Sequence, residues 1–255
     1  MMPAHVGRQE DESGVKNCFG KKVVVVVDAG DRLGAAVARH LSYGGASVVL
    51  GCLETASRSV RELAHELCWD GAMAIAVPAA TRGMRQIIEL IDAAIEHFGK
   101  FDVIVNNQVC LPSPNPDSVE GEGESLHRRD LHAWLYGAAA AMLYAESHSL
   151  GQLVNVIVSP RAQPARKGYI EDADAASRRL YDRLAQELGD YRIRTTLIYL
   201  SGCDPGHWSR RCNHDCNAEA CLNSSRAVES VVGAIGLAVS QPEDTRIDEI
   251  RMSLS

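Results

Sequence analysis

Thiolate and imidazole groups crowd one stretch of this chain: Cys203, His207, Cys212, His214, Cys216 and Cys221. Ligands of these types can close a tetrahedron around zinc, but their spacing matches none of the common CxxC pairings. The expectation is reduced thiols in a flexible loop, with no metal, and His207 as a candidate proton carrier. Carboxylates offer a second chemistry. Asp130, in Arg128-Arg129-Asp130-Leu131-His132, and Asp174, close to Asp172, would stabilise positive charge in a water-poor pocket. Each has a plainer use, because an acid at a helix start also caps the helix or meets its dipole. Arg129 beside Asp130 is placed to pair with it and neutralise it. Arg161 and Arg166 are candidates to border a pocket, and Trp134 and Trp208 to wall one, although a lone Trp is more often packing.

The elements that must position these groups are legible from apolar periodicity. Strand candidates are Val23–Val27, Ser47–Gly51, Ala74–Val77, Val103–Asn106, Leu153–Val158, Thr195–Tyr199 and Ile247–Met252. Runs apolar on both faces, alternating with helices, predict an α/β chain: a single-domain, Rossmann-like, doubly wound parallel sheet of about seven strands with helices on both faces. The spacing predicts a helix over Met84–Phe98, stopped by Gly99, and another over Asp172–Leu188. After Val23–Val27, the run Asp28-Ala29-Gly30-Asp31-Arg32-Leu33-Gly34 reads as a tight turn and a helix start. Leu111 to Ser125 reads as a mobile loop on the carboxyl edge of the sheet, where open α/β sheets bind ligands.

The length of 255 residues suits one α/β domain. The polar stretch 1–19 is expected to be a flexible arm, with the domain at 20–255; that arm lacks an apolar signal core, which points to the cytoplasm. A formal net charge of -7 and the lack of a Lys/Arg stripe argue against a nucleic-acid or anionic-membrane partner. No apolar stretch approaches the ~20 residues a membrane helix needs.

The turn after the first strand and the segment Phe101-Asp102-Val103-Ile104-Val105-Asn106-Asn107 together resemble the short-chain dehydrogenase/reductase family. The closing run Ser240 to Met252 is similar to a mostly NADP-dependent subgroup. The resemblance implies NADP(H) held by Gly30, Arg32, Leu33 and Gly34, by Cys52 after the second strand, and by Asn106 and Asn107. The family's T-G-x-x-x-G-x-G turn falls on Val27, Asp28, Arg32 and Gly34, so two phosphate-side glycines are replaced. A carboxylate ~5 Å from a phosphate costs on the order of 3 kcal/mol at an effective dielectric near 20. Asp28 either repels the phosphate in this way or caps the helix in its place. Cys52 stands where NAD-selective members carry an acid, so the cofactor implied is NADP(H), weakened or vestigial.

The family's catalytic Asn, Ser, Tyr and Lys fall on Asp130, Val158, Ile170 and Asp174. Ser159 and Tyr169 lie one residue away, but Ala173, not Lys, stands four after Tyr169. A site with Asp130 and Asp174 in place of the usual acid suits a cation better than a carbonyl. The implied function is an enzyme of specialised (secondary) metabolism acting on an iminium-type small molecule, by NADPH hydride transfer or by cyclisation. At the level of fold alone this resembles divergent fungal alkaloid-pathway reductases and cyclases of the family. The alternatives are a non-catalytic NADP-sensing or scaffold protein, and an ordinary NADP-dependent carbonyl reductase whose register is one residue off. By the same resemblance the chain is expected to form a homodimer or homotetramer.

Overall fold

Val23–Val26 form β1, and all four valines are buried. β-branched side chains suit a pleated surface covered on both sides. Val24 and Val26 enter one apolar cluster while Val23, Val25 and Val27 enter another. In the computed structural model, residues 18–79, 83–107, 135–144, 151–160, 167–203 and 218–253 are described.

The chain continues through α1 (Arg32–Tyr43), β2 (Ser47–Leu53), α2 (Ser57–Trp69), β3 (Ala74–Ala79), α3 (Met84–Phe98) and β4 (Val103–Asn106). It then forms α4 (135–144), β5 (Gln152–Pro160), α5 (Lys167–Asp190), β6 (Arg194–Cys203), α6 (Ala218–Ser240) and β7 (Glu249–Ser253). The described strands make one parallel sheet in the order β3-β2-β1-β4-β5-β6-β7. Leu33, Val37 and Leu41 of α1, with residues of α2 and α6, cover one face. Ile87, Leu90 and Ile91 of α3 and Ala138, Ala140 and Ala141 of α4 cover the other, while Tyr181 and Leu184 of α5 pack on Leu197. This is the doubly wound α/β architecture that alternating apolar strands and helices demand.

The differences from the sequence reading have local causes. Helix α3 keeps its predicted bounds, closed by Gly99 at φ 75. Its buried apolar face is Ile87, Leu90, Ile91 and Ala94. Strands β5 and β6 outrun their apolar cores because parallel pairing continues to Val158↔Leu200 and Pro160↔Cys203. Before β7, the Thr196 hydroxyl donates to the Ile247 carbonyl (2.8 Å) and the Leu197 amide to that of Asp248 (2.9 Å). Helix α5 begins at Lys167 rather than Asp172, and its first turn holds no acid. Asp172 and Asp174 are therefore not first-turn dipole partners.

Phe19, placed in the arm by the sequence, is 5% exposed and lies edge-on to His40 at 5.6 Å between ring centroids. Residues 1–17 of that arm lie outside the described residues. No described helix is long and apolar enough to cross a membrane.

Candidate functional site

The carboxyl edge of the sheet is built where β1, β2 and β4 end side by side. The Val27 amide donates to the Val105 carbonyl at 3.1 Å, and the Ala29 amide to that of Gly51 at 2.7 Å. Asn107 then clasps the next residue twice: its Oδ1 accepts from the Asp28 amide at 3.0 Å, and its Nδ2 donates to the Asp28 carbonyl at 2.5 Å. From α3, Gln86 donates to the Val27 carbonyl at 3.2 Å. Asn106 donates to Asn155 Oδ1 across β4 and β5 at 3.2 Å. Asn106 and Asn107 are thus buried strand-to-strand ties, as expected of polar groups taken from water. Gly34 is required by this packing, because a Cβ there would overlap the Asp28 carbonyl oxygen.

The turn's own carboxylates hold its amides. Asp28, only 6% exposed, accepts from the Gly30 amide at 3.0 Å through Oδ1. Asp31 is the N-cap of α1, accepting from the Gly34 amide at 2.7 Å. Arg32 donates to Ser225 of α6 at 2.6 Å. Leu33 and Cys52 are both fully buried in the core cluster beneath. The dinucleotide that the family resemblance implies would rest its pyrophosphate on the amides of this turn and helix start. Two of those amides already receive negative side chains, and Cys52 supplies no acid to ribose hydroxyls. The residues present do not fit a pyrophosphate.

The pairing Asn106↔Asn155 fixes β5 against β4 and puts Val158 three residues beyond Asn155 along the strand. Between Val158 and Pro160 the register against β6 shifts, and Ser159 lies within that shift. On α5, Ile170 and Asp174 are four residues apart, about one helical turn. Tyr169 and Asp174 are five apart. Asp130, Arg129, Arg161, Arg166, Trp134, His207 and Trp208 lie outside the described residues, as do the loop 111–125 and Cys212, His214 and Cys216. Among the described residues no group of His, Cys, Asp or Glu could hold a metal ion.

Two parts of the site escaped the sequence reading. Asp31 stands directly before the helix, the usual N-cap signal. Asn155 is a polar residue inside an apolar strand, a signal for a buried hydrogen bond. The contact from Arg32 to Ser225 spans 193 residues and leaves no local trace. A cavity of about 600 Å³ lies elsewhere, between α5 and the starts of β6 and β7, lined by Tyr181, Gln186, Asp190, Thr195 and Asp248 among others. It is remote from the carboxyl edge, and the conserved logic of ligand binding in open sheets favours the edge.

A model of the short chain dehydrogenase family matches residues 22–215. The chain is 24% identical over 232 residues to an uncharacterized oxidoreductase of Staphylococcus epidermidis, covering 90% of this chain and 96% of that protein. It is 34% identical over 95 residues to a short chain dehydrogenase/reductase of Aspergillus aculeatus, covering 37% of this chain and 36% of the other. A metagenomic short-chain oxidoreductase, solved in complex with NADP, superposes with a TM-score of 0.67 at 21% identity, over 93% of this chain and 99% of that one. With its sheet order, its strand-end asparagines and a match spanning three quarters of its length, this chain belongs to the short chain dehydrogenase family of oxidoreductases.

Proposed function

We propose that this chain is a divergent enzyme of specialised small-molecule metabolism that binds a cationic, iminium-type substrate at the carboxyl edge and promotes its cyclisation. The observation that carries the reading is the position of Asp174. It stands four residues after Ile170 on α5 and beyond the first helical turn, where the dipole would explain it, and counting from the helix motif sets the pair at the family's Lys and Tyr positions. A carboxylate in place of an ammonium reverses the charge that the site offers. In ring closure a tethered nucleophile gives its electron pair to the iminium carbon and the C=N π pair returns to nitrogen. The proton released by the nucleophile then passes to a carboxylate. Asp174 and Asp130 are the groups proposed to stabilise the cation and accept that proton, with Arg129 setting the charge of Asp130. No hydride is consumed.

A second reading is an ordinary NADP-dependent carbonyl reductase using Ser159 and Tyr169. It is favoured by the shift of register beside Ser159 and by the NADP held in the metagenomic relative. Assaying an iminium ion with a tethered nucleophile alongside a matched ketone separates the two. The cyclase reading predicts that Asp174→Asn lowers ring closure about a hundredfold, the scale of losing one charge-stabilising group. Ketone reduction that survives Asp174→Asn and fails in Tyr169→Phe would establish the second reading instead.

A further inference from the structure

We infer that Asp28 is a specificity residue that sets this site against phosphate-bearing ligands, so that the chain excludes the dinucleotide its relatives hold. The Asp28 backbone is fixed on both sides by Asn107, at 3.0 and 2.5 Å, so the carboxylate cannot withdraw by moving its root. Its Oδ1 occupies the Gly30 amide at 3.0 Å, while Asp31 occupies the Gly34 amide at 2.7 Å.

The turn has little freedom to offer other donors. The Ala29 amide is bonded to the Gly51 carbonyl, Gln86 holds the Val27 carbonyl, and Gly34 packs against the Asp28 carbonyl. At 6% exposure the Asp28 charge is poorly screened by salt. A phosphate entering here would meet a fixed negative charge and lose an amide. A carboxylate ~5 Å away weakens its binding on the order of a hundredfold at an effective dielectric near 20. Arg32, which stands where the family has its second glycine, donates to Ser225.

The ligand class left for this edge is neutral or cationic and carries no phosphate. Only that last step rests on the proposed function. Exclusion of the nucleotide is tested without any substrate.

Calorimetric titration of the full chain with NADP+, and separately with inorganic pyrophosphate, supplies the test. Asp28→Gly keeps the backbone bonds to Asn107, frees the Gly30 amide and removes the charge. It is expected to tighten NADP+ binding by about tenfold or more. Asp28→Asn removes the charge but leaves an oxygen on the amide, and is expected to fall between parent and Asp28→Gly. Circular dichroism identifies a variant that has not folded, in which case Asp28→Asn decides: tighter binding than the parent supports the inference, and unchanged binding overturns it. A folded Asp28→Gly chain that binds NADP+ no better than the parent overturns it as well. Both titrations are made without substrate, so failure here is distinct from failure of the proposed function.

Discussion

Gly34 and Asp28 are the two residues on which the local design of the turn depends, and they make opposite demands. Gly34 must lack a side chain so that α1 can start against the Asp28 and Ala29 backbone. Gly34→Ala is therefore expected to destabilise the chain by about 3 kcal/mol or more, since the clash is with backbone that cannot rotate away. Gly233→Ala in α6 is the matching control. A Cβ there meets nothing within 4 Å, and a helical glycine exchanged for alanine is expected to gain about 0.5–1 kcal/mol. Urea midpoints of the two variants, one well below and one slightly above the parent, check both. At this scale much of the site was legible. The sequence placed Asp28 in the phosphate turn and offered repulsion or capping of the helix; the helix cap is Asp31 instead, and Asp28 holds the Gly30 amide within the turn. Arg32 was legible by position alone, because its partner on α6 is set by tertiary packing. Asp174 was proposed by counting from a helix motif, and the early start of α5 takes it out of the first helical turn.

Helices and strands were easier to read than their ends. Apolar runs mark where a strand is buried, whereas parallel pairing carries β5 and β6 past that point to Pro160 and Cys203. The reach of a strand depends on its neighbour, which no local pattern contains. One packing element carries its own pH signature. Tyr181 of α5 is 5% exposed beneath the β6–β7 edge, and burial first, then Asp248, Asp182 and Glu249, hold its phenol above the ordinary value of 10.0, against a lowering by Thr195. Tyr144 of α4, bonded to Asp92 of α3 at 2.5 Å, is pushed up to about 12 by burial and by that carboxylate. A phenol that resists ionising only when folded contributes stability below its unfolded pKa and loses it as pH rises above about 10. The stability advantage of the parent over Tyr181→Phe, from urea melts, is expected to be constant below pH ~9.5 and to shrink above pH ~10. A difference that grows above that pH would contradict the burial of the phenol.

The whole molecule combines a well-marked frame with an altered edge. Alternation of fully apolar strands with amphipathic helices specifies the sheet and its two covered faces, with the strands in the order β3-β2-β1-β4-β5-β6-β7. The edge is harder to read from sequence because it is assembled from strand ends and loops whose residues meet only after folding. The resemblance implies pairing between copies, and Leu143 of α4 is 60% exposed. A homodimer or homotetramer is accordingly expected in sedimentation equilibrium, and a monomer would remove that expectation. The measurement closest to the central claim is turnover of an iminium ion bearing a tethered nucleophile, followed by product mass with and without NADPH. The account predicts a ring-closed product one proton lighter than the iminium ion, formed at the same rate in both. A product two hydrogens heavier, formed only when NADPH is supplied, would contradict it.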